Sequence, residues 1–427
     1  MKRSFRTFSF GCRVNEAERL EINKELFKRG LIWSDNMPDI FIINTCSVTE
    51  KAEREARQFI YQTKRKYPNT KIVATGCSAT YWLKNNLYKN LPIDFMIGND
   101  QREFLADYLE KWINKSKTPA ESKPFEFSGK FINSGRLLLK IQDGCNRFCS
   151  YCIVPYLRGT PKSVRINKIV SRIKNNESVA KEVILTAINT QSFGYDTGES
   201  FIDLLKTIFD KTHVPRISCG SIHPWSIDNK FIEFYKKYQS NHRLVDFFHI
   251  PIQSGSNKIL NLMKRGYSRE EIGEKLQLIY ELNPMALIAT DIIVGFLDES
   301  DCDFQETYDL LKNSLISKFH VFRYSKRQNT AAYYLAKRLK EPAEPIKAKR
   351  SKALIELGKD KYHRFLEKHN DKNFTALFLK KRYYGFQEGL LDNQVTAYIK
   401  TDSDLNGRIK NVKITGYKNS RLFGKIS

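Results

Sequence analysis

Cys145, Cys149 and Cys152, at spacing Cys-x3-Cys-x2-Cys, constrain this chain more than any other feature. Each iron of a four-iron cube normally takes one thiolate. Three thiolates this close hold three corners and leave the fourth iron open to a small ligand, as a catalytic zinc keeps one position open to water. A zinc knuckle or a disulfide are the other readings of the triad. Zinc prefers four ligands, and no neighbouring His or fourth Cys completes the set.

The eight cysteines of this 427-residue chain do not read as a secreted disulfide framework. Reduced thiols in a cytoplasm, available to metal, fit better. No run is long and apolar enough for a membrane span, and the N-terminus, Met1-Lys2-Arg3-Ser4-Phe5, does not read as a signal peptide. Net charge is +25, which suits a polyanionic partner such as nucleic acid. Abundant Lys, Asn and Ile also fit an AT-rich genome, and charge does not separate RNA from DNA.

Residues 1–115 alternate strand-like and helix-like runs, which implies a parallel α/β sheet. Strands are expected at 4–9, 39–44 and 71–75, and helices at 16–29, with Asn15 as N-cap, and at 50–66, with Ser47 and Glu50 spaced as a capping box. Each strand runs into a cysteine: Cys12, Cys46 and Cys77. Open α/β sheets hold ligands beyond the carboxyl ends of their strands, so the three thiols are placed to converge. Helix N-termini just beyond Cys12 and Cys46 would favour thiolate. The plainer alternative is three unconnected buried cysteines.

A polar stretch at 116–130 reads as a linker. Residues 131–368 carry strand-like runs at 137–141, 182–186, 216–219, 247–252, 287–294 and 320–324, most of them separated by helices. This suggests a partial (β/α)6 barrel with active groups at its C-terminal mouth. Asn189, Gln191, His223, Gln253, Ser254, Gly255, Ser256 and Gly295 follow strands there and are candidates to line a cavity, or simple strand-end caps. Residues 371–427 read as a small β-barrel, with Lys380, Lys381 and Arg382 beside Tyr383 and Tyr384. Such a surface suits phosphates and stacked bases, or is an ordinary solvated strand.

Together these motifs resemble the radical S-adenosylmethionine (SAM) methylthiotransferases over nearly the whole chain. The resemblance is carried by Gly11-Cys12-Arg13-Val14-Asn15, Asn44-Thr45-Cys46, Thr75-Gly76-Cys77 and Gly144-Cys145-Asn146 through Pro155-Tyr156-Leu157-Arg158-Gly159. It continues with His249-Ile250-Pro251-Ile252-Gln253-Ser254-Gly255-Ser256, Met263-Lys264-Arg265-Gly266-Tyr267, Asp291-Ile292-Ile293-Val294-Gly295-Phe296 and His320-Val321-Phe322. The tail looks like the family's TRAM barrel.

The resemblance implies two 4Fe-4S clusters, on Cys12, Cys46 and Cys77 and on Cys145, Cys149 and Cys152. The first carries the sulfur that one SAM methylates, and the second cleaves another SAM to a radical. Gln253, Ser254, Gly255, Ser256 and Gly295 are its candidate SAM contacts. Lys380, Lys381, Arg382 and Arg13 are candidate contacts to tRNA, and an electron donor such as flavodoxin or ferredoxin is implied, with no DNA or membrane partner.

Three branches of the family differ at the first cysteine. One acts on isopentenyladenosine in tRNA (Cys-Gln-Met-Asn), one on a ribosomal-protein aspartate (Cys-Pro-Lys-Asn) and one on N6-threonylcarbamoyladenosine in tRNA (Cys-Lys-Val-Asn). Cys12-Arg13-Val14-Asn15 and Thr45-Cys46-Ser47-Val48-Thr49 look most like the last. The chain departs from the family at Thr160–Arg165, at Ala187 and at Leu297-Asp298-Glu299, none of which removes a cysteine. A non-catalytic iron–sulfur RNA-binding protein is the reading from another class. It gives no reason for two incomplete ligand sets.

Overall fold

The computed structural model describes residues 3–114 and 133–427, so the expected linker at 116–130 lies outside the described residues. The first unit is a five-stranded parallel sheet. Its strands are β1 (Ser4–Ser9), β2 (Ile32–Trp33), β3 (Ile40–Thr45), β4 (Lys71–Thr75) and β5 (Phe95–Met96), in the order β2-β1-β3-β4-β5. All of β3 is buried, as expected of a central parallel strand covered on both faces. The covering helices are α1 (Arg13–Lys28), α2 (Glu50–Lys66), α3 (Gly76–Lys84) and α4 (Leu105–Asn114). On α2, Glu53, Ala56, Ile60 and Thr63 form the buried stripe at helical spacing.

Both expected caps are corrected. Cys12, not Asn15, is the N-cap of α1, and the Asn15 amide instead donates to Phe10 O (2.8 Å) and Thr45 O (3.0 Å). Thr49, not Ser47, caps α2 by accepting from Ala52 N, and the Ser47 hydroxyl accepts from Arg327 Nη2 (2.7 Å). Cys46 is therefore on a loop, whereas Cys77 lies in the first turn of α3.

The central unit holds β6 (Arg136–Asp143), β7 (Lys162–Ser163), β8 (Glu182–Ala187), β9 (Arg216–Cys219), β10 (Phe247–His249), β11 (Leu287–Val294) and β12 (Lys318–Arg323). Parallel pairing runs β6-β8-β9 and β10-β11-β12, and single bridges Ile217–Leu244 and Ser221–His249 join the two sheets. The result is the expected partial six-stranded barrel, with β7 antiparallel on the β6 edge. Its helices are α5 (Val154–Arg158), α6 (Ile166–Lys174), α7 (Phe201–Lys211), α8 (Asn229–Tyr238), α9 (Asn257–Leu262), α10 (Arg269–Leu282), α11 (Asp301–Asn313), α12 (Ala331–Leu335) and α13 (Glu344–Glu367).

Val183, Leu185, Ile217, Cys219, Phe248, Ile288 and Ile292 pack outward against helix residues such as Leu204, Ile208, Phe231 and Leu276. Strand alternation then turns Glu182, Ser218, His249, Asp291, Lys318 and His320 to the inside of the barrel. Cys219 is a small apolar member of the outer core, and Cys302 is exposed.

The tail closes into a barrel of β13 (Asn373–Tyr383), β14 (Phe386–Leu391), β15 (Thr396–Lys400), β16 (Ile409–Lys418) and β17 (Arg421–Ile426). It is tied to the starts of the central strands. Arg216 donates to Leu390 O and Thr375 O (both 2.7 Å), and Gln394 Nε2 donates to Glu182 Oε1 (2.8 Å). Among the described residues, no helix is long and apolar enough to cross a membrane.

Candidate iron–sulfur and substrate site

The first cysteine triad is held at the carboxyl edge of the N-terminal sheet. Gly11 (φ +84°) precedes Cys12, and a Cβ on it would stand 2.6 Å from Cys46 Sγ, so only glycine lets these two segments meet. Gly76 (φ +91°) does the same before Cys77, where a Cβ would lie 2.4 Å from Thr45 O. Arg158 Nε donates to Cys77 Sγ (3.3 Å), and Asn99 Nδ2 lies 3.7 Å from the same sulfur.

The expectation of a thiolate-favouring environment is corrected for the free thiols. Burial raises the Cys12 pKa, opposed by Arg158, and burial followed by the neighbouring Cys77 pushes Cys46 up to about 12. Cys12 keeps solvent-accessible surface even so, as a group lining a concavity does.

The second triad sits beyond the end of β6. Gly144 (φ +72°) has no room for a Cβ, which would fall 2.1 Å from Thr160 O. Asn189 Nδ2 lies 3.5 Å from Cys145 Sγ, and Arg265 Nη1 donates to Cys149 Sγ (3.2 Å). Arg265 also lies over the Trp225 ring at 4.7 Å. Burial raises the Cys145 pKa and brings Cys152 to about 12.

The charges around each triad bear on what it can hold. Arg158 and Glu18, each 1 % exposed, meet at 2.8 Å, and Arg158 also reaches Asp143 Oδ1 (2.8 Å) and Asn15 Oδ1 (2.6 Å). Lys140 and Arg102 each bridge the same two carboxylates. Three cations against two carboxylates leave one positive charge beside Cys77. At the second triad, Arg265 is 2 % exposed and has no carboxylate partner among the described residues.

A four-iron core of charge about +2 on three thiolates is left with one net negative charge. One unmatched guanidinium charge beside each triad fits that group, since a buried cation alone is costly. The sulfurs also differ from a single-ion site. The one group of ligand atoms gathered within 4.8 Å among the described residues is His249, Asp291 and His320.

That group lies inside the barrel. Asp291 Oδ1 is 3.0 Å from His249 Nε2 and 3.2 Å from His320 Nδ1, and His249 Nδ1 is 2.8 Å from Ser221 Oγ. Burial alone would raise the Asp291 pKa, but the two histidines hold it well below the carboxylate range.

The sequence candidates divide. Gln253 (φ +73°) and Gly295 (φ +74°) stand together at the strand ends, with Gln253 bridged to Ile292. Ser254, Gly255 and Ser256 instead pack on α11: Ser256 Oγ donates to Asp303 (2.8 Å), and Ser254 Oγ is 3.2 Å from Thr307 Oγ1. Asn189 reaches the second triad, Gln191 is exposed, and His223 stacks on Trp225 with its pKa lowered by burial to about 3. Glu299, in the turn that departs from the family, accepts from Gly295 N (2.6 Å) and Arg350 Nη1 (2.7 Å) and so rebuilds that turn.

In the tail, Lys380, Lys381 and Arg382 are exposed at the end of β13. Lys381 pairs with Glu388 (3.1 Å), and Arg382 donates to Thr401 O and Asp402 O (both 3.1 Å). Arg158, Arg265 and Glu18 were missed as site residues. The available signal was an arginine before a glycine in each of two quoted motifs, Leu157-Arg158-Gly159 and Lys264-Arg265-Gly266.

Residues 4–98 match a family described as "Uncharacterized protein family UPF0004", and residues 139–311 match the "Radical SAM superfamily". The chain is 36% identical over 392 residues to a threonylcarbamoyladenosine tRNA methylthiotransferase MtaB of Aquifex aeolicus, covering 89% of this chain and 93% of that one. It is 32% identical over 430 residues to a tRNA-2-methylthio-N(6)-dimethylallyladenosine synthase of Aliarcobacter butzleri, covering 98% and 97%.

Among solved structures, the radical S-adenosylmethionine methyltransferase TsrM of Kitasatospora setae shares the fold at TM-score 0.54 and 13% identity, over 76% of this chain and 75% of that one. Radical SAM membership implies a 4Fe-4S cluster and SAM. Two cysteine triads on these two units, with relatives of this length and identity, lead to one conclusion: the chain belongs to the radical SAM methylthiotransferase family.

Proposed function

We propose that this enzyme places a methylthio group at C2 of N6-threonylcarbamoyladenosine next to the anticodon of tRNA. Residues 1–115, 131–368 and 371–427 are its cluster-bearing, radical SAM and RNA-engaging units, and the reaction places it in the cytoplasm. Each triad takes one 4Fe-4S cluster. When bound, the clusters supply the electron that splits SAM and the sulfur that is transferred. The protein's residues do the rest. Cys12, Cys46 and Cys77 fix one group at the sheet edge, Cys145, Cys149 and Cys152 the other at the barrel mouth, and Arg158 ties the two units together. Gln253 and Gly295, at the strand ends, are the proposed SAM contacts.

Arg13 carries the choice of base. It follows Cys12, retains accessible surface inside the molecule, and has no hydrogen-bond or ion-pair partner among the described residues. The threonylcarbamoyl group brings a carboxylate, whereas a prenyl group would leave this cation unmatched. The test is anaerobic turnover with tRNA carrying either base, read by mass spectrometry of nucleosides. Methylthiolation of the threonylcarbamoyl base is expected. Preference for isopentenyladenosine would overturn the assignment.

Lys380, Lys381 and Arg382 are proposed phosphate contacts. Neutralising all three is expected to weaken tRNA binding and flatten its salt dependence by about one unit of slope per lost contact. SAM cleavage without RNA should be unchanged. Binding titrations at two or more salt concentrations check this, and an unaltered slope would return these residues to an ordinary surface.

A further inference from the structure

The two triads belong to different units, yet a methylthio group and a radical must meet at one carbon, so the distance between the triads has to be held. Residues 325–332, which leave β12, touch both. Toward the first triad, Arg327 Nη2 donates to Ser47 Oγ and to Glu53 Oε2 (both 2.7 Å), and Ser47 directly follows Cys46. The Arg327 guanidinium lies over the Tyr81 ring at 4.9 Å, and Tyr81 Oη donates to Gln328 Oε1 (3.1 Å). Tyr81 stands on α3, one turn beyond Cys77. Ser325 Oγ accepts from Glu50 N (3.2 Å) at the start of α2.

Toward the second triad, Ala332 N donates to Ser150 O (2.7 Å), and Ser150 directly follows Cys149. Ser150 is itself fixed, its N on Met263 O (3.1 Å) and its Oγ on Leu262 O (2.7 Å). The span between the anchors is braced. Thr330 Oγ1 donates to Arg327 O (2.7 Å) and accepts from Tyr333 N (3.2 Å), which ties the Arg327 backbone to the first turn of α12. The Arg327 and Glu53 side chains are 4 % and 11 % exposed, and Glu53 Oε1 also accepts from Trp82 Nε1 (2.7 Å). A buried pair with its hydrogen bonds made is a geometric constraint more than a source of stability.

The position in the barrel adds to this. Among the described residues β12 pairs only with β11 and so forms one edge of the partial barrel, while β6 with its short partner β7 forms the other. Lys140 and Arg158 hold the first unit from the β6 side through Glu18. Arg327 and its neighbours hold it from the β12 side. A unit held at one edge is free to hinge there, and a second hold removes that freedom.

We propose that residues 325–332 are a strut that sets the spacing of the two cysteine triads, with Arg327 as its positioning residue. The strut couples SAM cleavage to methylthio transfer and performs neither. It needs only the family's reaction and is independent of which base is modified.

The test uses full-length reconstituted enzyme and tRNA from cells lacking the enzyme. Arg327→Gln is expected to keep wild-type iron content and SAM cleavage within about twofold, while methylthio product falls about tenfold or more, since a misplacement of about 1 Å can cost about a hundredfold. The quantity read is 5′-deoxyadenosine formed per methylthio group. Metal-free enzyme gives a second reading. Cys46 and Cys219 are both buried free thiols. Arg327→Gln should speed alkylation of Cys46 about tenfold, as loss of a charged hydrogen bond does, and leave Cys219 unchanged.

An unchanged ratio overturns the strut, as does an unchanged Cys46 rate. A proportional fall in both reactions overturns it too, because that marks an ordinary structural contact. If Cys219 also quickens, the fold has loosened, and Ser47→Ala, which leaves the Arg327–Glu53 pair intact, takes the place of Arg327→Gln. A raised ratio in that variant then supports the strut, and a wild-type ratio overturns it.

Discussion

Replacing Cys12, Cys46 and Cys77 together with alanine is expected to abolish methylthio transfer while leaving SAM cleavage to 5′-deoxyadenosine intact. The two triads stand on separate units, each with its own unmatched guanidinium, so emptying one does not strip the other of its sulfurs or its countercharge. The reciprocal variant at Cys145, Cys149 and Cys152 should lose both reactions. Iron content should fall from about eight to about four in each case, four per cube. Product analysis under a strong reductant, alongside iron determination, measures both. Loss of SAM cleavage in the first variant, with four irons retained, would mean that the triads do not divide the work.

Glu18→Gln should be the most damaging single change outside the cysteines. It leaves Arg158, Arg102 and Lys140 facing Asp143 alone, on side chains between 1 % and 18 % exposed. Breaking a buried ion network by removing one partner costs about 3–5 kcal/mol. A lower urea midpoint at pH 7 and iron loss from the first triad are expected. An unchanged midpoint would remove the network from the account of stability.

The pH dependence has a definite sign. Burial would raise the Glu18 pKa, but Arg158, Arg102 and Lys140 bring it to about 2, and the same cations hold Asp143 well below the usual carboxylate range. Depressed carboxyl pKa values contribute stability that is full above the unfolded value of about 4.3 and is lost as pH falls. For Glu18 the loss falls between about pH 4 and pH 2, and the Gln variant should lack that part of the acid transition.

Much of this architecture was legible because it is periodic. β1, β3 and β4 were readable as short strand-like runs, and each led to a cysteine. The misreadings share a cause. Asn15 and Ser47 have cap-forming side chains, but distant carbonyls and Arg327 claim them. The run 247–252 reads as one strand, yet β10 ends at His249 and the following Gln253 takes a positive φ. Ser254 and Ser256 follow that run, and adjacency to a strand does not tell mouth from outer layer. Arg158 meets Glu18 across 140 residues and Arg265 meets Cys149 across 116, distances over which no local pattern operates.

The same network has a bearing on the order in which the protein is made. The first unit leaves the ribosome before the second, and domains usually fold in that order. Here, however, Glu18 draws only one of its three cations, Arg102, from its own unit, and Lys140 and Arg158 belong to the next. A nascent chain that has reached residue 114 holds all three cysteines of the first triad but not the guanidinium that bonds Cys77. The first unit is therefore not a detachable module. The cluster proposed for its three cysteines would meet its full set of partners only after the start of the radical SAM unit has been synthesised, which would couple insertion of that cluster to the birth of the domain it must work with.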